Sequence, residues 1–112
     1  MEDSLENVQH LFDSSGFWIA FRVHRNIFDT VGNWIGWLPF EDDDTEVHDT
    51  KGTYLGHLYP GNRFYRNSKF IRREAIEKPP RPAYIRRQSF PGSIGPSRLP
   101  IGAQDLRLSA HV

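Results

Sequence analysis

Three aspartates recur at matching places in the first half of the chain and are the first candidates for chemistry. Asp13, Asp29 and Asp49 each begin the pattern Asp-x-x-Gly. Repeated carboxylates could act as general acids or bases, or could ligate a metal ion. The same spacing is typical of a type I turn, where Asp holds the first position and Gly the fourth. We therefore predict that these aspartates, with the glycines of the same turns, are structural: Gly16, Gly32 and Gly52.

Two further groups contain potential metal ligands. Residues 41–46 are an acidic run that offers oxygen ligands for Ca²⁺ or Mg²⁺ but lacks the glycine and the spacing of an EF-hand loop. We interpret it as a solvated loop, with contact to a basic tail as the alternative. His48 and His57 share one predicted hairpin whose expected register places them on opposite faces, so no joint metal site is predicted.

The sequence offers no constellation of catalytic residues. There is no Gly-x-Ser-x-Gly elbow, no glycine-rich phosphate loop and no cysteine. Ser14 and Ser15 fall within a predicted turn, and no pair of carboxylates flanks an evident cleft. We predict that the protein is not an enzyme and that it has no catalytic residue, cofactor or metal.

The aspartates belong to a phrase that occurs three times, at 11–22, 27–38 and 47–58. Each copy predicts a β-hairpin with a type I turn and a G1 bulge. We expect rings to face each other across each turn: Phe12 with Trp18, Phe28 with Trp34, and His48 with Tyr54. One residue further from the turn, we expect aliphatic pairs on the opposite face: Leu11 with Ile19, Ile27 with Ile35, and Val47 with Leu55. Ala20, Gly36 and Gly56 are expected on the aromatic face.

These patterns predict an all-β fold of three consecutive antiparallel hairpins, with residues 58–71 as a candidate fourth. Both faces of each hairpin are apolar, and an isolated hairpin is marginal in water. A small core of this kind therefore needs further cover. We expect that cover to come from the rest of the chain or from a second copy.

The composition divides the chain into a flexible N-terminus (1–9), a hairpin domain (10–71) and a basic, proline-rich C-terminal arm (72–112). Six of the eight prolines lie in residues 79–100. The first 50 residues carry a net charge of −9 and the remainder +9. This asymmetry favours contact between the halves or with a charged partner. No signal peptide or apolar membrane span is evident, so we expect a cytoplasmic protein with no membrane contact.

Two functions fit these features. The leading hypothesis is a non-enzymatic assembly or protein-interaction module that self-associates through the hairpin faces and the arm. Its candidate interface residues are aromatic: Trp18, Trp34, Trp37, Tyr54, Phe64, Tyr65, Tyr84 and Phe90. The alternative is a small nucleic-acid-binding protein that uses the basic, aromatic stretch 63–87. The zero net charge and the acidic first half argue against it.

The three Asp-x-x-Gly-x-Trp/Tyr-Ile/Leu-Gly/Ala hairpins, followed by Lys-Pro-Pro-Arg-Pro-Ala at 78–83, carry a family resemblance. Over residues 10–110 the chain resembles the four-fold beta-flower family, small bacterial hairpin-repeat proteins with no assigned activity. The resemblance implies an all-β flower of hairpins that self-associates. It supplies no catalytic residue.

Overall fold

The computed structural model describes residues 8–67, 81–82 and 88–106, and in these the chain is all-β, as predicted. None of the described residues belongs to a helix that is long and apolar enough to cross a membrane. The expectations for residues 1–7, for 68–71 of the candidate fourth hairpin and for Tyr84 lie outside the described residues. The strands are β1 (Val8–Phe12), β2 (Trp18–Val23), β3 (Asn26–Asp29), β4 (Trp34–Trp37), β5 (Glu46–Asp49), β6 (Tyr54–Tyr59), β7 (Arg63–Asn67) and β8 (Ala103–Asp105).

The strands form one sheet in sequence order, and the sheet closes on itself. Each strand pairs antiparallel with the next, from β1 to β8. β1 also pairs with β7 in parallel, where Phe12 lies opposite Arg63. The N–H of Phe12 donates to the carbonyl of Asn62 at 2.9 Å beside this contact. The result is a closed seven-stranded barrel, with β8 added along β7.

Each Asp-x-x-Gly segment forms a bend between two strands. In the first, the N–H of Gly16 donates to the carbonyl of Asp13 at 3.0 Å. Oδ1 of Asp13 accepts the N–H groups of Ser15 and Phe17. Gly16 has φ of +93°, a conformation that glycine adopts without steric cost. The other two bends repeat these bonds on Asp29 and Asp49.

The register beyond each bend differs from the expected aliphatic pairing. Phe12 lies opposite Trp18, but Leu11 then lies opposite Ala20 rather than Ile19, because a bulge interrupts the ladder between the two pairs. The same shift places Ile27 opposite Gly36 and Val47 opposite Gly56. The expected pairs with Ile19, Ile35 and Leu55 are therefore wrong. The small residues lie on the aliphatic side of the hairpins, not on the aromatic side.

The corrected register explains why those positions are small. A Cβ on Gly36 would come within 2.5 Å of the His48 carbonyl oxygen, and one on Gly56 within 2.8 Å of the Tyr65 carbonyl oxygen. Such distances are well inside van der Waals contact, so a larger residue would separate neighbouring strands.

The barrel interior draws one buried apolar residue from each of its seven strands or strand ends. They form a single cluster: Leu11, Ala20, Ile27, Leu38, Val47, Leu58 and Phe64. On the other face of the first two hairpins, Phe21 and Phe28 stack at 5.3 Å and pack with Val23. Both rings are almost fully buried within the single chain. The second apolar face is therefore covered without a partner chain.

The described part of the arm lies against the first bend and β7. The N–H groups of Ile94 and Ser97 donate to the carbonyls of Gly16 and Ser14. Arg63 links the two segments by donating to the carbonyls of Asp13 at 2.7 Å and Gly95 at 2.6 Å. These contacts are hydrogen bonds made largely by the backbone.

The Asp105 carboxylate completes this attachment. It accepts the N–H and the hydroxyl of Ser14 at 2.8 and 2.6 Å. Asp105 is also the last residue of β8 and lies opposite Tyr65 of β7. One residue thus ties the arm both to the first bend and to the edge of the barrel.

Replacing Gly16 by Ala should both strain the first bend and displace the arm. A Cβ at Gly16 would overlap the carbonyl oxygen of Ile94, in addition to the strain at positive φ. Gly61→Ala is the matched control, since Gly61 has φ of +81° and a Cβ there would meet nothing within 4 Å. We expect the control to lower the free energy of unfolding by about 1–2 kcal/mol and Gly16→Ala to lower it further.

The two variants are compared by urea denaturation and by limited proteolysis of residues 88–106. Only Gly16→Ala should make the arm sensitive to protease. Equal stability losses and equal protease resistance in the two variants would show that the arm does not depend on this contact.

Candidate functional site

A polar cluster is buried on the third hairpin, on the face where the other hairpins carry rings. Glu46 lies opposite His57, and His48 lies opposite Tyr54. All four are buried. Because Glu46 and His48 are two apart on one strand and bonded to each other, both histidines lie on the same face. The prediction of opposite faces is wrong, and the bulge after Val47 is the reason.

Glu46 and His48 hold a shared proton. Nδ1 of His48 lies 3.1 Å from the carbonyl oxygen of Gly52, which only accepts, so Nδ1 carries a proton. Nε2 lies 2.8 Å from Oε2 of Glu46. This second contact also needs one proton, either on the imidazole or on the carboxyl group. In both arrangements the pair is neutral overall, which makes its complete burial tolerable.

Tyr54 contacts both His57 and the end of β7. Its hydroxyl accepts the N–H of Asn67 at 3.1 Å and lies 2.6 Å from Nδ1 of His57. With His57 neutral and its proton on Nε2, the hydroxyl donates its proton to Nδ1 while it accepts from Asn67. Burial lowers the pKa of His57 below its ordinary value, against the opposing attraction of Glu46 and Asp43. Burial likewise raises the pKa of Tyr54.

Aromatic and basic side chains close over this cluster. Phe40 meets His48 edge-on at 5.3 Å between ring centroids, and the guanidinium of Arg66 lies 5.1 Å from the centre of the Tyr54 ring. The cluster has the components of an acid–base pair, but its burial leaves a substrate no access. Among the described residues, no group of three or more His, Asp or Glu side chains could hold a metal ion.

The acidic loop before β5 is ordered by its own hydrogen bonds. Oδ1 of Asp43 accepts the N–H and the hydroxyl of Thr45. Burial acts to raise the pKa of Asp43, but the bonds from Thr45, a bond from the N–H of Glu46 and the attraction of His57 together lower it. Arg25 donates to Asp44 at 2.7 Å and to the carbonyl of Phe40. The loop thus holds Phe40 in place over His48.

A groove opens at the turn end of the first two hairpins. It has a volume of about 510 Å³ and is lined by Trp18, Thr30, Gln88, Ser89 and Phe90. The rings of Trp18 and Phe90 lie 6.0 Å apart and are tilted by 47°. Phe90 is 68% exposed. The groove therefore combines a strand of the barrel with a segment of the arm.

Two large apolar side chains flank the groove in sequence and are also exposed. Phe17 precedes Trp18 and Val31 follows Thr30. Sequence reasoning missed both. Comparison of the three copies could have identified them, because each is apolar at a turn position that is polar in the other copies. Asn33 and Thr53 occupy the position of Phe17, and Ser15 and Lys51 occupy the position of Val31.

The candidate interface residues fall into separate environments. Trp18 and Phe90 line the groove, and Trp34 is half-buried against the second apolar cluster. Phe64 lies in the barrel interior, which places it away from any accessible surface. The remaining described candidates are also buried: Trp37, Tyr54 and Tyr65.

The described members of the basic stretch take part in packing. Arg63 donates to two carbonyls, and Arg66 lies over Tyr54. Phe64 and Tyr65 are buried and so are not available to stack on bases. Residues 68–80 and 83–87 of this stretch lie outside the described residues.

Comparison with protein-family models, with curated proteins and with solved structures found no match to this chain. The four-fold beta-flower resemblance, a bacterial origin and a cytoplasmic location therefore stay predictions.

Replacing His48 by Phe, the residue at the equivalent position of the other two hairpins, should destabilise the protein strongly. It would leave Glu46 buried without its partner, which typically costs about 3–5 kcal/mol. The double variant Glu46→Leu/His48→Phe removes both members of the pair and should recover most of that loss, because no buried carboxylate is then left without its partner imidazole. Urea denaturation at neutral pH measures both.

The comparison between single and double variants decides the role of the pair. If His48→Phe is as stable as the unmodified protein, the Glu46–His48 contact is not the buried neutral pair described above. Equal losses of stability in the single and double variants would also contradict this description of the pair, because altered packing would then account for the loss.

Proposed function

We propose that the protein is a non-enzymatic interaction module that binds an extended, proline-containing peptide segment of a partner protein. The binding surface is the groove between Trp18 and Phe90. The observation that carries the proposal is that Phe90 is exposed and Trp18 only half-buried, with the exposed Phe17 and Val31 next to groove residues in sequence, whereas Phe21, Phe28, Tyr54 and Tyr65 are buried.

The composition of the groove suits a peptide. Aromatic side chains supply large contact areas, and aromatic-lined grooves accept extended polyproline segments, whose conformation is already restricted in the free peptide. Thr30, Gln88 and Ser89 add polar groups at the wall. Such groups bind backbone carbonyls of a peptide, which fixes its direction in the groove.

The first bend also illustrates how this end of the barrel binds an extended segment. Residues 94–97 are Ile-Gly-Pro-Ser and are held through main-chain hydrogen bonds to Ser14 and Gly16. A partner segment at the adjacent groove would add the contacts that the rings provide. A partner peptide would thus bind this end of the barrel in the same way as the arm.

Self-association through the hairpin faces has less support than it had from the sequence. Phe21, Phe28, Tyr54 and Tyr65 are buried in the single chain, so an interface built on them would require the chain to open. A second copy is the other candidate occupant of the groove, since the arm is itself proline-rich. Light scattering over a range of concentrations separates this outcome from binding of a different protein.

Nucleic-acid binding is the weaker alternative because the two described rings of the basic stretch are buried. Salt-dependent binding of a single-stranded oligonucleotide would support it.

The groove is tested by titrating isotope-labelled protein with a decaproline peptide and recording backbone amide shifts. We expect shifts concentrated in residues 16–18, 30–31 and 88–90. Phe90→Ala should weaken binding by about tenfold, as expected for a central aromatic contact. Ile101→Ala is the matched control, since Ile101 is 84% exposed and does not line the groove.

The proposal is wrong if decaproline causes no shifts at millimolar concentration, or if Ile101→Ala weakens binding as much as Phe90→Ala. Shifts in the same residues on raising the protein concentration alone would identify a second copy as the occupant instead.

A further inference from the structure

The Tyr54 hydroxyl links β6 to β7 beyond the last residue pair of these two strands. Residue pairing between β6 and β7 extends from Tyr59 opposite Arg63 to His57 opposite Tyr65. The next hydrogen bond along β7 is the one from the N–H of Asn67 to the Tyr54 hydroxyl, at 3.1 Å. A side chain therefore replaces the strand carbonyl at the point where the bulge displaces β6.

The end of β7 held in this way is also where the arm strand docks. Asn67 lies opposite Ala103 and Arg66 opposite Gln104, so β8 pairs with the last three residues of β7. The Asn67 side chain makes a second attachment by donating to the Tyr59 hydroxyl at 3.0 Å. The position of β8 thus depends on how firmly the end of β7 is held.

We infer that His57 is a proton-controlled latch for β8. With His57 neutral, the Tyr54 hydroxyl donates to Nδ1 and accepts from Asn67, and β8 is docked. When Nδ1 takes up a proton, the end of β7 loosens and β8 detaches.

The geometry gives the physical reason. A proton on Nδ1 would meet the hydroxyl proton along a contact of only 2.6 Å. The hydroxyl must then turn its proton away, within a buried site, and the new positive charge has lost its hydration. Loss of that donation weakens the hydroxyl as an acceptor, and Nδ1–H and the N–H of Asn67 then compete for the same oxygen, so the bond to Asn67 is weakened.

Charged and titratable groups surround His57 on each packed element. Glu46 on β5 and Asp43 in the preceding loop favour the cation, whereas burial and His48 disfavour it. Tyr54 and Tyr59 are ring neighbours on its own strand, and Tyr65 lies opposite on β7. Glu46 is already bound to His48, which limits what it can offer a second cation.

The direction of the pH dependence follows from the lowered pKa of His57. The unfolded chain takes up this proton near the ordinary value of 6.5, before the folded chain does. The stability that neutral His57 provides is therefore complete above that pH. It is lost as the pH falls through the folded value.

The latch would also affect the groove, a consequence that rests on the proposed function. β8 follows the segment that carries Phe90, and Asp105 of β8 binds Ser14 of the first bend. Release of β8 removes one anchor of that segment, so the affinity for the peptide should fall when β8 is released.

Hydrogen exchange of the full chain without peptide tests the latch itself. Protection factors, which correct for the intrinsic pH dependence of exchange, are compared at about pH 7.5 and about pH 5 for the amides of Asn67 and Gln104. We expect a loss of about tenfold at the lower pH, typical of local opening. His57→Gln keeps an acceptor for Tyr54 but cannot titrate, so it should retain protection at both values.

Tyr54→Phe should show low protection of these amides at both pH values, because the hydroxyl is absent. Tyr59→Phe removes the other hydroxyl that contacts Asn67 and should leave the pH response intact. His10→Gln is the histidine control, since burial also lowers the pKa of His10.

Equal protection at the two pH values in the unmodified protein would overturn the latch. So would a pH response that survives His57→Gln or disappears in His10→Gln. Because no peptide is present, these outcomes are independent of whether the groove binds one.

Discussion

The extra residue at each Asp-x-x-Gly bend is the constraint on which the rest of the structure depends. The carboxylate and the glycine fix the bend, and one residue of the returning strand is then left without a partner. Because side chains alternate between faces, that single residue exchanges the faces of the strand beyond it. Rings therefore face each other at the bend, while aliphatic and small residues face each other further along. Repeated three times, this arrangement gives a barrel with a largely aliphatic interior and rings on its outer face.

The third hairpin places polar groups into the same geometry. Where the first two carry Phe and Trp, it carries His48 and Tyr54, and Glu46 and His57 lie one step along. Buried polar groups cost free energy unless each is paired, and two close contacts of 2.8 and 2.6 Å provide the pairing. The third hairpin thus carries titratable side chains at the positions where the first two carry Phe and Trp.

The all-β class and the positions of the bends follow from the sequence, because the Asp-x-x-Gly signal is local. The aliphatic register does not, since the spacing alone does not reveal which residue the bulge leaves unpaired. Closure of the barrel was also beyond sequence reasoning, because it rests on one pair, Phe12 with Arg63, from distant parts of the chain. Trp18 and Phe90 of the groove could be predicted from the sequence as interface residues, but their proximity could not, because it depends on where the arm docks.

The interactions that attach the arm differ from those that stabilise the barrel, so the two parts differ in stability. The barrel buries an apolar residue from each of its seven strands or strand ends, whereas Phe90 and Ile101 of the arm remain exposed. Apart from Leu106, which packs against the interior cluster, the arm is attached by hydrogen bonds at Gly16, Ser14 and Arg63, many of them at the surface. Each such bond contributes only about 0.5–1.5 kcal/mol, since water competes for the same groups. Partial release of the arm therefore requires much less free energy than opening the barrel, so a small change in protonation can affect one without unfolding the other.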